Sequence, residues 1–596
     1  MSDPMNLPAR IVLLSALFAI AGCAGLQRAQ PQPASAPQPA VPAPSGPAIG
    51  PGAAPEAQPA PLPPGESVEI LEDNLLFDIL LGEIAGQREQ LEVSVLHYLR
   101  AAEVSDDPRV AERALRIALF AKQEDAALTA ARRWVELDPE SIDGRQSLAV
   151  LALHARIPEE AYDQFEYLLG RSGDDTQVYQ GITGLLARSE DRELALALMD
   201  RLVQQHPQSV QAHLAYSRLA LHAENTDLAL SEVEQALAMQ PKLVEALVLR
   251  AGVRAKAGDT DLARRELANA IAAQPDDVEL RMAQARLLLD MQDLSGAAEQ
   301  FNAVVKLQPD NADAWYSLGL LALEQQQYKS AERYFRKLLD LGKRVQEARY
   351  YLGRSRELRE DFAGALEWYA QVTEGDYWLE AQTRVASMRS KTGDLDGARR
   401  QLTDLRTREP SLAVRLYLVE GDILSQAGKL REALDLYNRV LVEQPNNHDL
   451  LYARALVAER LNDLGLAEAD LRRIVAEDPN NFHAWNALGY TLADRTDRLQ
   501  EALEYIEKAQ ALAPDEAAIV DSLGWVHYRL GNFALAERHL RRAYEMSRGD
   551  AEVAAHLGEV LWEQGKRKEA RALWDKARRS NPDNLPLRKT LEKYLP

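Results

Sequence analysis

Alanine returns fourteen times at an interval of 34 residues, give or take one, from Ala127 through Ala331 to Ala570. Prolines keep the same beat at ten points between Pro139 and Pro582. One large core does not impose such a period on a chain of 596 residues. A small supersecondary unit copied along the chain does, and this interval is the length of two short helices with their turns.

The unit at residues 312–343, ADAWYSLGLLALEQQQYKSAERYFRKLLDLGK, shows how it works. Trp315, Leu318, Gly319 and Ala322 recur at helical spacing and make the apolar stripe of a first helix. Gly319 has no side chain, so a second helix can come close to its backbone. Tyr328 follows a polar turn, and Ala331, Phe335 and Leu338 then form the facing stripe. The proline that closes most units cannot continue a helix and separates one pair from the next. The pattern returns in WNALGY (485–490), DSLGWVHY (521–528) and HLGEVLW (556–562).

These motifs strongly resemble the tetratricopeptide repeat, over residues 108–582. Fourteen units align on the alanines, and a fifteenth is expected near Leu75, with Ser94 at the alanine position and Tyr98 at the aromatic one. The resemblance implies an all-α fold, a right-handed superhelical solenoid of about fifteen helix-turn-helix repeats. No pair buries its apolar face alone, so neighbours must stack and both ends need covers. Residues 66–107, opening with ESVEILEDNLLFDILLGEIAG, are expected to form capping helices and a divergent repeat. Residues 583–596, with Leu587, Leu591 and Leu595 on one face, suit a capping helix at the other end.

Cys23 is the one cysteine, which excludes an intramolecular disulfide and any zinc site built on sulfur pairs. The apolar run before it, IVLLSALFAIAG (11–22), has 12 residues. A bilayer span needs about 20, so the run fits a secretory h-region. Ile20-Ala21-Gly22-Cys23 resembles the bacterial lipobox. That implies a signal peptide over residues 1–22, cleavage between Gly22 and Cys23, and lipid on the Cys23 sulfur. Ala24 stands where an aspartate would hold a lipoprotein at the inner membrane, so the expected location is the outer membrane, facing the periplasm. Residues 23–65 read as a Pro/Ala-rich disordered linker, with 13 prolines among the 34 residues 31–64. At about 3.1 Å per residue, the 42 residues after Cys23 reach roughly 130 Å when extended.

No residue set carries chemistry. There is no HExxH, no GxSxG and no phosphate loop, and no metal or cofactor site is expected. The Gly-Lys pairs in AGKL (427–430) and QGKR (564–567) fall at turns inside a unit. A net charge of −22 argues against nucleic acid, whose phosphates would be repelled. The charge is uneven. Residues 65–210 hold 14 basic and 28 acidic residues, whereas residues 566–593 hold ten basic and four acidic ones.

In this repeat the first helices line the concave face through positions 2, 5, 9 and 12 of each unit. Counted here, they give Tyr316 and Leu320; then His483, Asn486 and Tyr490; then Asp521, Trp525 and Tyr528. These are the candidate protein-binding residues, with packing between neighbouring first helices as the competing role for Trp525 and Tyr528.

The lipobox, the Pro/Ala spacer and the helix pairs opening with GEIAGQREQLEVSVLHYLRAAEVSDDPRVAERALRIALFA (82–121) are together similar to large outer-membrane lipoproteins that bind a periplasmic carboxyl-terminal processing protease. That likeness implies an adaptor without catalysis, which positions the serine protease and presents peptidoglycan hydrolases to it. The alternatives are an assembly lipoprotein for exopolysaccharide export or type IV pili, and an envelope enzyme with an unrecognised site. Finally, two successive units end in DLGKRV and TEGDYW, without the closing proline, which predicts a change of superhelical geometry between residues 340 and 380.

Overall fold

The computed structural model describes residues 75–172, 175–582 and 584–595. The expected signal peptide, Cys23, the linker and residues 66–74 lie outside them. Among the described residues there are 31 α-helices, one short 3-10 turn (Pro410–Leu412) and no strand. The α-helices make fifteen pairs and a closing helix, Leu585–Tyr594. They fall into two compact units that meet in sequence between Ala314 and Trp315.

Within each unit, helices pack on their neighbours in sequence order. In the first, Leu91–Val104 lies against both Leu75–Gln87 and Pro108–Phe120. In the second, Ala517–Arg529 packs on Leu499–Leu512 and Phe533–Met546, and also on the first helices either side, Phe482–Arg495 and Ala551–Glu563. Contacts between near neighbours alone are the mark of a solenoid.

The motif residues explain the pairing. The repeating alanines are at most 2 % exposed and lie where two helices touch. Where a first helix carries glycine at the position of Gly319, that glycine meets the large side chain of its own second helix. A Cβ on Gly319 would sit 2.5 Å from the Phe335 ring, and one on Gly353 would sit 2.7 Å from Tyr369. On Gly558 it would overlap the Trp574 indole. The pair at Leu75 follows the same rule. Gly82 faces Tyr98 at 2.6 Å, and the Ser94 hydroxyl, at the alanine position, donates to the Gly82 carbonyl at 2.7 Å.

Most turns inside a unit use a left-handed residue. Gly428 and Gly565, of the two Gly-Lys pairs, have φ of +75° and +80°. The following amides, of Lys429 and Lys566, close back onto Leu424 and Leu561 carbonyls at 2.8 Å, which satisfies the helix ends. The Lys566 ammonium then pairs with Glu537 at 2.6 Å rather than standing free in solvent.

The irregular stretch lies where the closing prolines are missing. Gly342 and Gly375 take φ of +63° and +82°, and Arg344 also enters the left-handed region at +50°. The second helix there, Phe362–Tyr369, has 8 residues, where the others have 13 to 15. The next first helix, Trp378–Lys391, keeps its register, so the connection before it runs long, over residues 370–377. Its N-cap residue, Tyr377, stacks on Tyr350 with ring centroids 4.6 Å apart and fills the gap.

The C-terminal end is covered. Leu585–Tyr594 packs on the last first helix, Ala551–Glu563. The buried Glu559 carboxylate there accepts hydrogen bonds from Thr590 (3.0 Å) and Tyr594 (3.2 Å) and pairs with Lys593 (3.0 Å). Leu587 is buried, with Leu591 and Leu595 half-buried beside it. No helix among the described residues is long and apolar enough to cross a membrane.

Candidate protein-binding surfaces

The concave-face positions fall into two groups. Tyr316 (3 % exposed), Leu320, Asp521 and Trp525 (8 %) are buried, so in the free chain they pack rather than present a surface. His483 is exposed, and Asn486, Tyr490 and Tyr528 are half-buried. Only this second group can meet a partner without rearrangement.

What buries the first group is specific. The Tyr316 hydroxyl lies 3.4 Å from that of Tyr377, and the Arg344 guanidinium sits 4.7 Å from its ring centroid. Trp525 stacks on His556 at 4.3 Å, and Tyr490 approaches the same imidazole at 6.3 Å. His556 Nδ1 meets both Asp521 carboxylate oxygens, at 2.9 and 3.1 Å. His556 is the residue the sequence did not reveal. It stands at position 6 of its unit, outside the groove pattern, and its partner is 35 residues away. Burial disfavours the imidazolium, but the Asp521 carboxylate outweighs it, with Glu552 and Glu559 adding, and the pKa is held up to about 9. A buried pair of this kind fixes geometry; removing one partner leaves an uncompensated charge.

Two polar atoms at the concave positions are unmet. Asn486 Oδ1 and Trp525 Nε1 are buried with no hydrogen-bond partner.

The N-terminal end differs. Its first helix, Leu75–Gln87, buries Asp78, Gly82 and Ala85 against the next helix. Leu76 (64 % exposed), Phe77, Leu80 (53 %) and Ile84 face outward. Beside them lies a cleft of about 420 Å³ lined by Gly82, Glu83, Leu91, Arg113, Ile117 and Phe120. Arg113 is held at its edge by Glu83 at 2.9 Å. Residues 66–74 of the expected cover lie outside the described residues, and its described part carries this exposed apolar row.

Models of the tetratricopeptide repeat match this chain at residues 185–243, 218–278, 282–343, 316–377 and 389–448, and again at 480–549 and 527–593. The TPR repeat-containing protein PA4667 of Pseudomonas aeruginosa is 40% identical over 487 residues, covering 82% of each chain. The chain belongs to the tetratricopeptide repeat family. As such it is an interaction scaffold for protein partners. A more local likeness joins this tetratricopeptide repeat protein to the type IV pilus assembly protein PilF of P. aeruginosa, 24% identical over 161 residues, 27% of this chain and 61% of that one. Among solved structures, a thermophilic tetratricopeptide protein from Thermus thermophilus is 26% identical, covering 30% of this chain and 97% of that one with a TM-score of 0.28.

Proposed function

We propose that this scaffold is a lipid-anchored adaptor of the outer membrane, which binds a periplasmic carboxyl-terminal processing serine protease and presents peptidoglycan hydrolases to it. The observation that carries the reading is the contrast between the two ends. The C-terminal end is closed by Leu585–Tyr594, while the first helix of the N-terminal end has Leu76, Phe77, Leu80 and Ile84 exposed among the described residues. Contiguous apolar exposure of this kind marks an interaction site. Fifteen stacked units offer far more surface than the roughly 800 Å² a typical partner covers. Holding protease and substrate on one scaffold raises their effective concentration toward the millimolar range with no catalytic group supplied.

The N-terminal row is the protease-docking surface, and Asn486, Tyr490 and Tyr528 belong to the substrate-binding one. In a reconstituted assay, Leu76→Ser with Leu80→Ser should abolish acceleration of hydrolase cleavage while leaving hydrolase binding intact. Tyr490→Ala should do the reverse. If the wild-type chain leaves protease turnover of the hydrolases unchanged, the adaptor reading is wrong. The likeness to PilF favours a second reading, an assembly lipoprotein for pili or polysaccharide export. Secretin or synthase subunits co-purifying from intact envelopes, in place of a serine protease, would favour it.

A further inference from the structure

The strongest charge feature of the described residues is the outer face of the last two helices, Arg567–Ser580 and Leu585–Tyr594. All ten basic side chains between residues 566 and 593 are exposed. Three of these cations are paired, Lys566 with Glu537 at 2.6 Å, Arg578 with Asp575 at 3.1 Å and Lys593 with Glu559 at 3.0 Å, and Glu569 is engaged by Arg541 at 2.6 Å. Lys568, Arg579, Arg588 and Lys589 have no carboxylate partner among the described residues. The face also carries aromatic rings under its cations. Arg567 and Arg571 lie 5.2 and 5.5 Å from the Trp562 ring centroid, Lys576 lies 5.7 Å from Tyr544, and Lys593 lies 4.6 Å from Tyr594. Leu585 is exposed at the start of the closing helix.

We infer that this face docks on a bilayer surface bearing anionic phospholipid headgroups. Capping an array needs only a polar outer face of mixed sign. A surplus of cations interleaved with Trp and Tyr is instead the composition of a membrane interface. The cations stand on helix exteriors, where neither helix contributes to the one cleft described above, so a planar array of charge suits them better than a shaped ligand. The −22 of the whole chain does not oppose this, because charges beyond about 8 Å are screened at physiological salt. The inference takes its setting from the lipid-anchor reading, since the tether brings the membrane within reach.

The test uses the full chain carrying Cys23→Ser, so that no acyl anchor contributes, in flotation with phosphatidylcholine vesicles and with the same vesicles containing phosphatidylglycerol. The chain should float with the second kind alone and be released by salt. K568E with R571E and R579E should weaken that partitioning roughly a hundredfold, at about a fivefold change per basic residue. R588E with K589E, on the other helix, should weaken it roughly tenfold or more, with helix content by circular dichroism unchanged for both variants. Equal flotation with both vesicle types overturns the inference. So does retained partitioning of the charge-reversed chains, or competition by soluble polyglutamate at equal charge that shows an acidic polypeptide to be the preferred partner. Failure of lipidation at Cys23 in cells is read separately, by membrane fractionation of the unsubstituted chain.

Discussion

The hydroxyls of Tyr351 and Tyr377 lie 2.9 Å apart, and they join a first helix to the cap of the next across the irregular turn of the second compact unit. Tyr351 also stacks on Phe335 at 5.2 Å, so the contact runs back into the preceding repeat. The turn with the least regular backbone is therefore closed by aromatic packing.

Tyr377→Phe keeps the ring and removes its hydroxyl. It should cost about 1 kcal/mol, the net worth of a hydrogen bond, while Tyr377→Ala should cost about 3 kcal/mol or more. Limited proteolysis should then cut faster near Gly375 in the alanine variant. An unchanged cleavage pattern would mean that the stretch is held by something other than this ring.

His556 is held protonated by Asp521 to a pKa of about 9 in the fold, above the roughly 6.5 of an unfolded chain. Its contribution to stability is full below about pH 6.5 and is lost as pH rises through about 9. Thermal melts should show this alkaline loss in the wild type and not in His556→Gln. Asp521→Asn should destabilise by roughly 3 kcal/mol at neutral pH, because it strands a buried imidazolium.

Gly558→Ala places a methyl group into the Trp574 indole, and overpacking of this kind costs roughly 1–3 kcal/mol. Gly252→Ala is the control, since a Cβ there meets nothing within 4 Å and the glycine lies inside the helix Val244–Lys256. Replacing it should stabilise by about 0.5–1 kcal/mol. Chemical denaturation of the two variants should move in opposite directions.

Cys23→Ser should release the protein from the outer-membrane fraction while leaving its helix content unchanged, and globomycin should block maturation of the wild type. Membrane fractionation that Cys23→Ser does not alter would remove the anchor from the proposal.

The repeat was legible because its determinants are single residues at fixed intervals. Ala331 cannot be larger where two helices touch, and Gly319 cannot hold a Cβ against Phe335. Such steric demands leave a periodic trace. Tyr316 and Leu320 were misjudged as groove surface because a position count assumes that every first helix faces an open groove. At Tyr316 the long connection before Trp378–Lys391 supplies Tyr377 as a cover, an irregular event that no period announces. The Asp521–His556 pair was hidden for a different reason. Its members are each unremarkable in sequence, and only the close approach of two successive first helices brings them to 2.9 Å. The row from Leu76 to Ile84 could be read as apolar but not as exposed.

The glycine at the Gly319 position and the side chain it receives, as at Gly353 and Tyr369 or Gly558 and Trp574, belong to one and the same unit. A recombination event that drops or copies a whole unit thus carries each such lock away intact. The array is free to lengthen or shorten over generations in steps of one helix pair, whereas a deletion of half a unit would leave a large side chain with no place to go.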